Sequence, residues 1–185
     1  MEKKLAVRKK IRLEGYDYSQ AGYYFLTICV EDGHEILGRV VVGDGVLDVP
    51  PIKPNVPQFD KYDVPFVQLS EYGIIAKKHI REIDEKYEHI SIQNYVIMPN
   101  HIHILLAVLN DKKIGTSRTP SPTNAVIPAF ISTLKRFIHK DCGFVLFQRG
   151  CHDRIIRNKT EYRVRWQYIN NNPANWAEDD CFVDK

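Results

Sequence analysis

The sequence predicts an α+β fold, an antiparallel sheet backed by helices. Three observations point to it. Aromatic and β-branched runs of strand length recur over residues 23–30, 90–98 and 101–108. Two longer stretches, 67–87 and 124–140, space their apolar residues at helical intervals. The strands on either side of Pro99-Asn100 are joined by so tight a turn that they should pair antiparallel.

The elements follow in chain order. Residues 1–15 read as a basic arm, because Lys3, Lys4, Arg8, Lys9, Lys10 and Arg12 place six cations in ten positions. A first strand at 23–30 ends in the turn Glu31-Asp32-Gly33-His34. Residues 36–42 and 46–49 read as a hairpin closed by Gly43-Asp44-Gly45. The segment from Pro50 to Pro57 carries too many prolines for helix or strand and should be a surface loop. From 67 to 87, Val67, Ile74, Ile75, Ile80 and Ile83 sit among charges in helical order. After the strand pair 90–98 and 101–108, residues 110–124 read as a polar, proline-punctuated loop. A second helix at 124–140 should bury Ile127, Phe130, Ile131, Leu134 and Phe137. A strand at 151–156 and a helix at 159–171, stopped before Pro173, complete the order. Strand, helix, strand, strand, helix, strand, helix is a ferredoxin-like (RRM-like) succession.

The 185 residues suit one domain with decorations: the arm at 1–15, a catalytic domain at 16–176 and a tail at 177–185. Apolar residues make up 44% and charged residues 26%, ordinary for a globular chain, and no run is long and apolar enough to span a membrane. The N-terminus lacks a signal-peptide pattern. Cys29, Cys142, Cys151 and Cys181 form no CxxC pair, so reduced cytoplasmic thiols are expected. The net charge of +3 is a weak pointer to nucleic acid, but its distribution says more. A second basic cluster in the last third contains Lys135, Arg136, Arg154 and Arg157. Together with the arm it makes a candidate set of phosphate contacts.

The run Tyr95 to Val108 carries the chemistry. His101 and His103 stand at i and i+2 on a predicted strand, so both imidazoles project from one face while Ile102, Ile104 and Leu106 enter the core. Two neutral imidazoles side by side can hold a divalent metal. In the last helix, Tyr162, Trp166 and Ile169 form a packing stripe, and Tyr168 with Asn172 lies on a face about 100° away. Tyr168 is therefore expected to keep its hydroxyl free for chemistry.

The motif Met98-Pro99-Asn100-His101-Ile102-His103-Ile104-Leu105 resembles the HUH motif of single-tyrosine transposases. More narrowly, it resembles that of the REP-associated tyrosine transposases. Three further segments match in the same order: Arg12 to Thr27, Phe147 to Asn158, and Tyr168-Ile169-Asn170-Asn171-Asn172-Pro173. The resemblance implies an HUH endonuclease fold, with Tyr168 as nucleophile and His101, His103 and Asn172 as ligands of Mg²⁺ or Mn²⁺. It implies cleavage and transfer of single-stranded DNA at hairpin-forming repeats through a 5′-phosphotyrosine. It further implies a monomer or homodimer in the prokaryotic cytoplasm, associated with the nucleoid. Cys151 and Arg154 depart from the residues common in relatives, but neither is a catalytic position. Tyr16 and Tyr18 are rival tyrosines, assigned to packing or base stacking. The alternative is a non-cleaving single-stranded nucleic-acid-binding protein on the same fold.

Overall fold

The structure is a computed structural model that describes residues 20–42, 65–109, 126–179 and 181–182. The basic arm, Tyr16 and Tyr18, the second half of the expected hairpin, the proline-rich loop and the 110–124 loop lie outside those residues. A four-stranded antiparallel sheet is assembled from β1 (Gly22–Cys29), β4 (Ile90–Ile97), β5 (His101–Val108) and β6 (His152–Ile156), in the order β4-β5-β1-β6. A smaller sheet pairs β2 (Gly38–Val41) with β3 (Phe66–Leu69). Helices α1 (Glu71–Lys86), α2 (Val126–Cys142) and α3 (Lys159–Asn171) complete the set. With the small sheet set aside, the succession is the ferredoxin-like one that the sequence predicts.

Strand alternation divides the sheet cleanly. Tyr24, Leu26 and Ile28 of β1 and Ile102, Ile104 and Leu106 of β5 enter the larger core, where α2 contributes Ile127, Phe130, Ile131, Leu134 and Ile138. The opposite face carries Phe25, Leu105 and Ile156 and is covered by α3 through Ile169, Tyr162 and Tyr168. Fully burying a side chain such as Ile104 or Phe130 is worth roughly 1.5–3 kcal/mol. The larger cluster therefore fixes the sheet, and the sheet fixes whatever projects from its other face.

Three sequence expectations change. The helix expected from residue 67 starts at Glu71; Val67 lies in β3 instead. Ser70 explains the boundary, since its Oγ accepts from Gly73 N at 3.2 Å as an N-cap while donating to Ile36 O at 2.6 Å. The strand partner of β2 among the described residues is Phe66–Leu69, a pairing with a long intervening segment that local turn signals do not reveal. Phe137, expected in the α2 stripe, is 42% exposed and stacks on His79, while Ile138 is buried in its place.

Candidate metal and nucleophile site

The register of β1 against β5 builds the site. Thr27 lies opposite His103 and Cys29 opposite His101, so the two imidazoles stand side by side on the α3 face with ring centroids 4.3 Å apart. Both histidines are buried, at 0% and 3% exposure. Each ring is held by its Nδ1. His101 Nδ1 lies 2.8 Å from Asn100 Oδ1, and His103 Nδ1 lies 2.9 Å from Thr27 Oγ1.

Asn100 sets the tautomer of His101. Its Nδ2 donates to Gly33 O at 3.3 Å and Cys181 O at 2.7 Å, so its Oδ1 is the atom left facing His101. An amide oxygen only accepts, so His101 Nδ1 carries the proton and its Nε2 presents a lone pair. Burial, reinforced by the neighbouring His103 and opposed by Asp179, pushes the His101 pKa down to about 3. The ring is therefore neutral near pH 7, as a metal ligand must be. His101 Nε2 and His103 Nε2 are buried and have no hydrogen-bond partner among the described residues, and the same holds for Asn172 Oδ1. Buried polar atoms are seldom left unpaired. Two unpartnered Nε2 atoms on adjacent rings, with the Asn172 amide held on the neighbouring Asp179, are donors that a divalent ion would satisfy, so the donor set fits the metal that the sequence motif implies.

Helix α3 brings the tyrosine. Its N-terminus is fixed by Asn158, whose Oδ1 accepts from Glu161 N at 2.8 Å, and by Glu161, which accepts from Arg157 N at 3.0 Å and Arg154 Nε at 2.6 Å. Those bonds hold the Glu161 carboxyl below the usual range, the Arg157 N–H contributing most and Arg154 next. Two and a half turns later the Tyr168 ring stands 5.2 Å from the His103 ring and 5.9 Å from Phe25. The Arg165 guanidinium lies over both Phe25 and Tyr168, at 5.0 and 5.7 Å.

The expected packing stripe of α3 holds only in part. Ile169 is buried and Tyr162 is half-buried, but Trp166 is 37% exposed. The Tyr168 hydroxyl is not free either: it donates to Asp179 Oδ2 at 2.5 Å.

Asp179 is the residue that sequence reasoning missed. It lies in the segment expected as a tail, eleven residues beyond Tyr168, and no motif marks it. A turn after α3 and the short 3-10 helix Trp176–Glu178 reverse the chain and carry Asp179 back over the histidines. Its side chain is 1% exposed, with Oδ1 3.8 Å from His101 Nε2 and Oδ2 3.7 Å from His103 Nε2. Asn172 Nδ2 donates to Oδ2 at 2.7 Å and Cys181 N to Oδ1 at 2.8 Å. Burial alone would raise its pKa, but contacts from His103, Tyr168, Cys181 N and Asn172 together hold it well below the carboxylate range.

Cys181 adds a thiol to the same cluster. Its hydrogen bond with Cys29 pushes the Cys181 thiol far up and brings Cys29 down to about 7. A thiol is a soft donor and suits a hard ion less well than an oxygen does.

The remaining predicted contacts are dispersed. Arg154 and Arg157 lie on the α3 side and are exposed, with Arg154 paired to Glu161. Lys135 and Arg136 belong to α2, across the sheet from the histidines. Lys135 does not offer its ammonium to the surface. It is buried and donates to Gln148 O at 2.7 Å and to Gly150 O, tying down the loop before β6. An amphipathic pattern cannot distinguish such a lysine from a solvated one. Lys3, Lys4, Arg8, Lys9, Lys10 and Arg12 lie outside the described residues.

The overall shape has a solved counterpart. Over 84% of its length the chain superposes on a REP-associated tyrosine transposase solved with a REP hairpin bound, with TM-score 0.53 and 16% identity, covering 68% of that chain. The chain has the fold of a REP-associated tyrosine transposase. The four-stranded antiparallel sheet with helices on both faces is the α+β architecture expected from the sequence. A crystal structure of a transposase candidate from Deinococcus radiodurans overlaps more loosely, with TM-score 0.44 and 17% identity over 86% of this chain and 95% of the other. In sequence, the chain is 25% identical to an uncharacterised protein of Haemophilus influenzae, over 96% of its own length and 94% of that protein's. No protein-family model matches the chain. Among the described residues no helix is long and apolar enough to cross a membrane.

Proposed function

We propose that this protein is a metal-dependent single-strand DNA endonuclease and strand transferase, acting on hairpin-forming repeat DNA through a 5′-phosphotyrosine intermediate. The observation that carries this reading is the meeting of Tyr168 with His101 and His103 at one buried carboxylate, with both Nε2 atoms unpartnered among the described residues. A phenol has a pKa of about 10 and attacks poorly at neutral pH. A divalent ion, Mg²⁺ or Mn²⁺, held by His101, His103 and Asn172 would act as a Lewis acid toward the scissile phosphate.

This chain's own residues do the rest. The Tyr168 oxygen attacks phosphorus; a P–O bond to tyrosine forms and the P–O3′ bond breaks. Tyr168 gives up its proton, and the departing 3′-oxygen takes one. The phosphotyrosine conserves the bond energy, so attack by another 3′-hydroxyl releases Tyr168 and joins strands. Asn100 and Thr27 keep the two imidazoles oriented, and Phe25 and Arg165 hold the Tyr168 ring.

Support for a nucleic-acid substrate comes from the surroundings. An open groove of about 750 Å³ beside α3 is lined by Arg154, Arg157 and Arg165, and Arg165 reaches from it to the Tyr168 ring. That suits a phosphate backbone. The hairpin is suggested by the transposase of similar fold, which holds one. Arg136 and the arm would add contacts further along the DNA.

The test is to incubate labelled single-stranded hairpin DNA with the protein and Mg²⁺ or Mn²⁺ and to resolve the products by denaturing electrophoresis. A protein–DNA adduct and a shortened strand are expected. Tight binding with neither product would leave the non-cleaving alternative.

A further inference from the structure

We infer that Asp179 is itself a ligand of the divalent ion in this site, the anionic oxygen that suits it to a hard metal. The inference rests on the reading of His101 and His103 as ligands.

The first argument is spacing. Each Asp179 oxygen lies 3.7–3.8 Å from one imidazole Nε2. Hydrogen bonds between such atoms run at about 2.7–3.2 Å, so these are not bonds. Two atoms bound to one ion at about 2.1 Å stand about 3 Å apart when adjacent and about 4.2 Å apart when opposite. The separations here fall inside that range, for both oxygens and both rings.

The second argument is charge. A buried carboxylate needs compensation. The hydrogen bonds to Asp179 come from a phenol, an amide and a backbone N–H, all neutral. The two rings nearest it stand beyond hydrogen-bond distance, their Nε2 atoms 3.8 and 3.7 Å from its oxygens. No lysine or arginine is paired with Asp179 among the described residues. The missing positive charge has a place to sit: the Asp179 oxygens each face an Nε2 atom without a hydrogen-bond partner among the described residues, at 3.8 and 3.7 Å, in residues at least nine-tenths buried.

The third argument is donor chemistry. Mg²⁺ and Mn²⁺ favour oxygen, and two imidazoles with one amide supply no anionic oxygen. Asp179 supplies it. The segment that carries Asp179 is tied to the site and closed by a turn of its own. Asn100 Nδ2 donates to Cys181 O at 2.7 Å, and Phe182 N donates to Asp179 O at 2.8 Å. The tilted Trp176 ring lies 5.8 Å from His101. Asn100 therefore orients one histidine ligand and tethers the carboxylate as well. Because Tyr168 donates to the same Oδ2 that faces His103, the ion and the nucleophile share one carboxylate, and loading the site would fix the tyrosine with it.

The experiment is a Mn²⁺ titration of the full chain, without DNA, read by the EPR signal of free Mn²⁺. Wild type, His101→Ala and Asp179→Asn are compared, with cooperative urea unfolding as the check on folding. Asparagine keeps the shape and an oxygen that can accept from Tyr168 but loses the charge. Wild type should bind one Mn²⁺, His101→Ala should lose it, and Asp179→Asn should bind at least about tenfold more weakly, the scale expected for metal-site partners. In the unmutated protein, ¹³C-labelled aspartate carboxyl should show ENDOR coupling to bound Mn²⁺, which decides the matter even if the variant fails to fold. Unchanged affinity in a folded Asp179→Asn, or no ¹³C coupling in wild type, overturns the ligand role while leaving the histidines in place. No Mn²⁺ binding by wild type overturns the metal reading of the site itself.

Discussion

Replacing Asn100 by alanine should weaken metal binding and folding together, by amounts that can be worked out in advance. Asn100 is 2% exposed and its side chain makes three hydrogen bonds: it donates to Gly33 O and Cys181 O and accepts from His101 Nδ1. Each such bond contributes roughly 0.5–1.5 kcal/mol net, so the variant should lose about 1.5–4.5 kcal/mol. Domains of this kind are stable by about 5–15 kcal/mol, so it should still fold. With a urea dependence of about 2 kcal/mol/M, the unfolding midpoint should fall by about 1–2 M. Freed of its acceptor, the His101 ring can rotate or take the other tautomer, and Mn²⁺ affinity should drop about 10–100-fold. Thr27→Val separates the two effects. It keeps a β-branched residue on β1 and removes only the His103 partner, so stability should fall by about 0.5–1.5 kcal/mol. Mn²⁺ affinity should still fall by the larger factor. Mn²⁺ titration beside urea unfolding reads both quantities. If both variants lose stability yet bind Mn²⁺ like wild type, the Nδ1 bonds are ordinary packing bonds, and the histidines are not presented as ligands.

Other consequences follow from the same structure. Lys135→Met keeps the buried stem and leaves two carbonyls unpaired. Stability should fall by about 1–3 kcal/mol while hairpin affinity and its salt dependence stay unchanged; a flatter salt slope in a binding titration would show that the ammonium reaches DNA. Deleting residues 1–10 removes five of the six arm cations and should flatten the slope of log affinity against log salt by about 0.7 per lost phosphate contact. An unchanged slope would make the arm a solvated tail. Excess EDTA should abolish cleavage and leave single-strand binding largely intact in a gel-shift assay, whereas cleavage that persists in EDTA would remove the metal from the chemistry.

The sequence was most legible where periodicity and local chemistry agree. The alternation across His101 to Val108 places two imidazoles on one face and three aliphatics in the core, as found. Helix α3 spans Lys159–Asn171 as expected and ends before Pro173. Legibility failed where a contact depends on chain reversal. Nothing local says that Phe66–Leu69 pairs with β2, or that Asp179 turns back onto the histidines. The nearest clue is that two imidazoles and an amide are a poor set for a hard ion, a deficit that asks for a carboxylate without naming one. Lys135 shows the converse limit, since its charge suggested phosphate and its burial assigns it to carbonyls.

The claim that Tyr168 becomes covalently joined to DNA is tested most directly by finding the bond. After reaction of labelled hairpin DNA with the metal-loaded protein, trypsin should release residues 166–185, in which Tyr168 is the only tyrosine. Mass spectrometry should find a 5′-nucleotide fragment on that peptide, and Tyr168→Phe, which loses only the hydroxyl, should give none. A fragment on a different peptide, an undiminished adduct in the Phe variant, or no adduct in wild type with metal and hairpin both bound would contradict it.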